Sequence, residues 1–309
     1  PIVGALADRS TSKERWLAGY AWVGAAAAAG LFFVQGTAWG LGAILVIIGN
    51  VCLIASLTVF SAILVDIAEP DERDSVSTKG WAFGYVGGVT LLVISLVVLT
   101  VKPFGLETGA LVRILFLVAG LWWAVFTFIP YLRLKDHPAL KPDAHVSLGN
   151  SFRQLRETLD HAKDYPQTLR FLLAFLFFND GVQTVIAAAA VYGQYELGMK
   201  QTYIFLAVIL VNIFGIVGAL AMGRIAARRG AYSVVMGALV IWILLVIVGF
   251  VVPKGSVALF LLLAIGIGLV VAGTQALSRS MYSQLIPRGR EGEYFSLYQV
   301  GDGGTNYLP

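Results

Sequence analysis

Charge is what this chain has least of. Only 13% of its 309 residues are Asp, Glu, Lys or Arg, about half of the quarter that soluble domains carry. A chain so poor in charge cannot cover itself with a polar surface. The net charge of +4 points to no nucleic-acid partner, because the basic residues sit in short loops where membrane topology explains them. The single cysteine, Cys52, forms no intrachain disulfide and reads as a small packing residue. The three histidines, His137, His145 and His161, lack the close spacing of metal ligands on one helix. They read as solvated loop residues, and no metal is expected. No GxxxxGK[ST] loop is present, so ATP-driven transport by this chain is not expected. No HExxH occurs and no histidine falls in an apolar segment, which leaves an intramembrane enzyme without its chemistry. No cofactor is indicated. No cleavable signal peptide is visible, and the chain starts at Pro1 rather than Met, so a signal or earlier helices could have been lost.

What the chain has instead is hydrocarbon. Hydrophobic residues make up 58% of it, and the mean hydropathy is +0.80. They come in blocks of about twenty, the length that crosses a bilayer core of about 30 Å. Nine segments are expected to be helices, at 16–34, 39–65, 80–101, 110–132, 168–192, 201–226, 231–252, 256–286 and 293–309. Their length and the lack of period-2 alternation exclude strands. Of the Lys and Arg residues, 18 fall in one set of alternate loops and 4 in the other. Enrichment of Lys and Arg in cytoplasmic loops then puts 8–15, 66–79, 133–167, 224–230 and 287–292 inside. The 133–167 connection is the only long polar one. Leu148, Phe152, Leu155 and Leu159 recur there at helical spacing, predicting a short amphipathic helix on the membrane surface or against the protein.

The chain also repeats itself. Gly4-Ala5-Leu6-Ala7-Asp8-Arg9 returns as Gly223-Arg224-Ile225-Ala226-Ala227-Arg228, with Ala227 in place of the acid. Pro70-x-x-Arg73 returns as Pro287-x-x-Arg290, and Gly84 and Gly87 as Gly301 and Gly304. The offsets, 219 and 217, are nearly constant. Two homologous bundles follow, as in transporters with parallel halves. The expected domains are a first bundle at 1–134, a linker at 135–166 and a second bundle at 167–309.

The phrase Gly4-x-Leu6-Ala7-Asp8-Arg9, followed by Lys13 and Arg15, resembles the loop 2–3 signature of the major facilitator superfamily. The strings Lys79-Gly80-Trp81-Ala82-Phe83-Gly84-Tyr85-Val86-Gly87-Gly88, Asn179-Asp180-Gly181-Val182-Gln183-Thr184 and Gly273-Thr274-Gln275-Ala276-Leu277-Ser278-Arg279-Ser280 resemble its vacuolar effluxer-like branch. Fungal members of that branch are associated with amino-acid export from the vacuole. The resemblance implies an all-α integral membrane fold of two pseudo-symmetric six-helix bundles. On that template the segments are helices 3 to 11 of twelve, the chain is cut at both ends, and by itself it is not expected to transport. The resemblance also implies that the acid at Asp8 locks a cytoplasmic gate through an arginine and a neighbouring helix N-terminus, with Arg9 as its cationic neighbour.

Asp180 is the sharpest candidate for chemistry. An ionised carboxylate near the centre of a span is costly unless it faces a cavity or a partner. Gln183 and Thr184 share its helical face and Asn179 flanks it. Two readings stand: a cavity face that binds a cationic group or carries a proton, and an acid that fastens two helices. Asn50, Asn212 and Gln275 face solute or join helices by hydrogen bonds. Arg279, one turn from Gln275, binds a substrate carboxylate on exit, snorkels toward the interface or pairs within the gate. Gly4, Asp8, Arg9, Arg73, Arg228, Arg279 and Arg290 form the candidate gate set, although Arg228 can simply enforce topology. Gly80, Gly84 and Gly88 line one helix face as a close-packing seam.

The leading reading is a secondary transporter of a small polar solute, with amino acids and protons as candidate cargo and coupling ion. A receptor, a scaffold and an intramembrane enzyme are the competing classes. A monomer in a bacterial cytoplasmic membrane is expected, with the bilayer as its main partner.

Overall fold

The computed structural model describes residues 2–10, 12–134 and 164–303. Within them the chain is helical, with no strand. In chain order the helices are α1 (Ile2–Arg9), α2 (Lys13–Gly30), α3 (Trp39–Ile67), α4 (Arg73–Val101), α5 (Thr108–Arg133), α6 (Pro166–Tyr195), α7 (Gln201–Arg229), α8 (Ala231–Val251), α9 (Val257–Leu285) and α10 (Glu291–Gly303). Eight of them, α2 to α9, are long and apolar enough to cross a membrane. The ninth expected segment corresponds to α10, which has 13 described residues and is not among the eight. The amphipathic stretch 148–159 and all three histidines lie outside the described residues.

The helices run further than the apolar blocks. Asp66 lies inside α3, Arg73 to Lys79 inside α4, and Arg224 to Arg229 inside α7. The stretches 66–79 and 224–230 are therefore mostly helical rather than open loops. Hydropathy stops at the first charge, whereas backbone hydrogen bonding continues past it, and Arg228 and Arg229 in the last turn complement the helix dipole. What separates α7 from α8 is one residue, Gly230, at φ +81° and ψ 145°. A side chain would be strained there.

Cα proximity divides the chain into two compact units. The first holds Pro1–Asp66, Val93–Asp164 and Ile286–Val300. There α2 packs on α5 through small residues: a Cβ added to Gly120 would sit 2.6 Å from the Ala25 carbonyl and from the Ala29 nitrogen. The Trp22 indole donates to the Ala124 carbonyl across the same seam. Ala7, Leu17, Val59 and Ile63 join α1, α2 and α3 in one buried cluster.

The second unit holds Ile67–Leu92, Tyr165–Leu285 and Gly301–Pro309. Its centre is α9, with half of its most apolar window buried, more than in any other candidate span. Backbones of α7 and α9 come close through glycine. A Cβ on Gly268 would lie 2.7 Å from the Val211 carbonyl, and one on Gly218 would overlap the Leu269 carbonyl. Close approach of this kind replaces the hydrophobic drive that lipid removes. The small-residue seam thus lies between α7 and α9. On α4, nothing described lies within 4 Å of a Cβ at Gly84, Gly88 faces the Asn212 amide, and Gly80 is half-buried.

Candidate functional site

The first copy of the repeated phrase forms α1, and its acid meets another helix. Asp8 Oδ1 accepts from the Gly292 amide at 2.7 Å and Oδ2 from the Glu293 amide at 3.0 Å. These are the second and third residues of α10, whose first N–H groups have no acceptor within their own helix. Negative charge is favoured at that end by the helix dipole. Asp8 is buried, however, and desolvation outweighs the attraction. Burial pushes its carboxyl from 3.8 up to about 7; Lys13 and the two amides pull it down, and Glu291 adds to the rise. Lys13 in turn pairs with Asp66 at 2.9 Å.

Gly4 makes that contact possible. A Cβ on Gly4 would overlap the Gly292 carbonyl and Ser296 Oγ, and a Cβ on Gly292 would overlap the Gly4 carbonyl. The two glycines stand back to back, one turn from the Asp8 bonds. Arg9 is the last residue of α1, and its side chain lies outside the described residues. Arg290 pairs with Glu293 at 2.9 Å, three residues along.

The second copy makes a corresponding approach without the acid. Gly223 lies against Thr78 of α4, where a Cβ would overlap Thr78 Oγ1. Ala227 and Arg228 are exposed. In the first turn of α4, Asp74 Oδ1 is buried with no hydrogen-bond partner among the described residues.

The α4–α9 contact is instead held by side chains donating to the α9 backbone. Buried Arg73 donates Nη1 to the Ser283 carbonyl at 2.9 Å and Nε to the Ala68 carbonyl at 3.2 Å. One turn on, Ser77 Oγ donates to the Ala276 carbonyl at 2.6 Å and accepts from Arg279 Nε at 3.1 Å. Thr168, in the first turn of α6, donates to the Leu285 carbonyl at 2.6 Å. Carbonyls in the last turn of α9 thus find donors on α4 and α6. Ser77 and Thr168 are absent from the residues singled out by sequence. The signal for Ser77 was its place four residues after Arg73, on the same helical face.

Among the expected solute-binding residues, the structure joins Asn179 and Gln275. Gln275 Nε2 donates to Asn179 Oδ1 at 2.6 Å, and both side chains are buried between α6 and α9. Asp180 and Thr184 are exposed and Gln183 is half-buried, so the Asp180 face turns away from this seam. Asn50 is half-buried and donates to the Val46 carbonyl of its own helix.

Asn212 lines a cavity of about 500 Å³ inside the second unit. Tyr85 of α4, Val185 and Tyr192 of α6, Val211 of α7, Leu245 of α8 and Phe260 of α9 contribute to its walls. The Tyr85 ring rests on Gly215, where a Cβ would come within 2.8 Å of it. Asp180, Gln183, Thr184, Gln275 and Asn50 are not among the lining residues.

Comparison with known proteins gives the family and the fold. The sequence model of the family described as vacuole effluxer Atg22 like matches residues 1–308. The chain is 24% identical over 303 residues to the uncharacterized MFS-type transporter YxiO of Bacillus subtilis (strain 168), covering 97% of this chain and 70% of that protein. It is 31% identical over 254 residues to autophagy-related protein 22-1 of Penicillium rubens, covering 75% of this chain and 42% of that protein. The chain therefore spans under half the length of that fungal relative. Among solved structures, the MFS proton:xylose symporter XylE bound to 6-bromo-6-deoxy-D-glucose aligns with a TM-score of 0.67 at 13% identity, covering 99% of this chain and 74% of that one. A bacterial homologue of the iron transporter ferroportin in an outward-facing state aligns at 0.60 and 16% identity, covering 98% and 76%. At these identities the likeness speaks for the fold. With the family model matching nearly end to end, this multi-pass membrane chain belongs to the vacuole effluxer Atg22 like family and has the fold of major facilitator superfamily transporters.

Proposed function

We propose that the complete protein is a secondary transporter that moves a small polar solute by alternating access. One observation carries this reading: the buried Asp8 carboxylate bound to the first turn of α10. An expensive buried acid placed across two helix ends, beside back-to-back glycines, is a contact suited to forming and parting as a latch. Asp8, Gly4, Arg9 and Arg290 serve the cytoplasmic gate on one side, and Arg73 and Arg279 on the other, with Arg228 at the edge of the second hairpin. The helical bundles are residues 1–134 and 167–309, joined by the 135–166 linker, with the basic loops in the cytoplasm.

Solute recognition falls to Asn179 and Gln275, with Asp180, Gln183 and Thr184 on the adjoining α6 face and Asn50 as a further amide. One acid, several amides and a nearby cation suit a zwitterionic amino acid, and Asp180 carries the coupled proton. Counterflow in proteoliposomes, with the complete protein and a panel of amino acids and other small metabolites, tests the activity. Asp180→Asn keeps the shape of the side chain and removes its charge. The variant is expected to insert normally and to lose transport or its pH dependence. Wild-type uptake with unchanged pH dependence would remove Asp180 from the mechanism.

A further inference from the structure

We propose that the cavity between α6, α7, α8 and α9 binds a neutral, mainly apolar small molecule that carries a single hydrogen-bonding group. Its volume, about 500 Å³, lies within the roughly 300–1,000 Å³ of small-molecule sites. Among the described residues its lining contains no Asp, Glu, Lys, Arg or His. A charged ligand would shed its water there without gaining a counter-charge, so the lining selects against zwitterions and ions.

The polar groups are few and placed on a largely aliphatic wall. The Tyr192 hydroxyl is engaged, donating to the Gly249 carbonyl at 2.8 Å. The Asn212 amide donates Nδ2 to the Val208 carbonyl of its own helix at 2.8 Å, which orients the side chain and turns its Oδ1 toward Gly88. Gly88 has no side chain to cover that oxygen. Asn212 Oδ1 and the Tyr85 hydroxyl are therefore the anchors for the ligand's polar group. The rest of the ligand lies along Val185, Val211, Leu245 and Phe260. Ile186, Val208, Val246 and Phe250 are exposed apolar residues on the open side of the cavity. A molecule that dissolves in hydrocarbon can pass such a rim without desolvating a charge. This site is separate from the Asn179–Gln275 pair and does not depend on the transport reading.

A neutral photoprobe, 4-[3-(trifluoromethyl)-3H-diazirin-3-yl]benzyl alcohol, tests the site on the full chain in nanodiscs, with labelled peptides mapped by mass spectrometry. Labelling is expected to concentrate on 185–192, 204–212 and 245–250. The neutral competitor 3-phenylpropanol should displace it, and phenylalanine, with the same ring but two charges, should not. Ala207→Phe fills the cavity from a buried lining position and should abolish labelling. Asn212→Leu keeps the volume and should weaken competition by 3-phenylpropanol about tenfold, the size of one net hydrogen bond. Labelling spread evenly over the exposed apolar faces, or unaffected by both substitutions, would overturn the proposal. Equal competition by phenylalanine would overturn the neutral ligand class. The readout is binding, so a failure of transport leaves it intact.

Discussion

Substituting Gly4 by Ala puts a methyl group where the Gly292 carbonyl already is. The obstacle is backbone, which cannot rotate aside as a side chain would, so α1 and α10 must separate by on the order of 1 Å. Overpacking in a close-packed site costs about 1–3 kcal/mol, and a backbone obstacle belongs at the upper end. Replacing helical glycine by alanine returns roughly 0.5–1 kcal/mol of helix propensity. The net loss is about 2 kcal/mol, which shifts the docking equilibrium of α1 on α10 about thirtyfold toward the parted form. The Gly292 and Glu293 amides report that equilibrium directly, because Asp8 protects both from exchange. Hydrogen exchange of the peptide covering 290–294 should accelerate about thirtyfold in Gly4→Ala. Gly84→Ala is the matched control. It faces open space among the described residues and should leave that exchange unchanged, with the protein as stable as before or slightly more so. Unchanged exchange in Gly4→Ala, or equal loosening by Gly84→Ala, would refute the assignment of the tight contact to α1 and α10.

Three further outcomes follow from the same geometry. Asp8 holds its proton up to about pH 7 when folded, against 3.8 when unfolded. Its contribution to stability is thus full below 3.8 and falls to zero as pH rises to about 7, by on the order of 4 kcal/mol in all. Melting curves between pH 4 and 8 should show this decline, and Asp8→Asn should flatten it. Asn179→Leu strands the buried Gln275 amide and should cost about 1–3 kcal/mol, whereas Asn179→Leu with Gln275→Leu should recover most of the loss in denaturation assays. Arg73→Lys keeps the charge but loses the planar fork that reaches two carbonyls at once, so it should destabilise by about 1–2 kcal/mol. A lysine variant as stable as the parent would show that charge alone is enough at that position.

The sequence was most informative where apolar length and repetition carried the signal. Eight spans follow from hydropathy, and the Gly4 and Gly223 phrases led to two corresponding helix-end contacts. The resemblance placed Asp8 at a helix N-terminus, and α10 supplies one. What could not be read was the identity of contacts made by side chains onto backbone, because a carbonyl has no sequence signature. Ser77 and Thr168 look like ordinary helix hydroxyls until the α9 carbonyls stand opposite them. Glycine spacing misled for a related reason. Gly80, Gly84 and Gly88 share a face, but whether a neighbour comes close depends on the helix opposite, and in the second unit backbones approach closely at Gly218 and Gly268. Asn179 and Asp180 are neighbours in the chain, yet a helix turns about 100° per residue. One therefore enters the α6–α9 seam while the other remains exposed.

Gly230 has a mechanical consequence. With one residue between them, α7 and α8 have little slack to slide past each other. A change in the angle between α7 and α8 has to be absorbed by the φ and ψ of Gly230 and its immediate neighbours. The Asn212 amide and the Leu245 wall of the cavity are then coupled through this one residue, and larger shape changes in that cavity come from α4, α6 or α9.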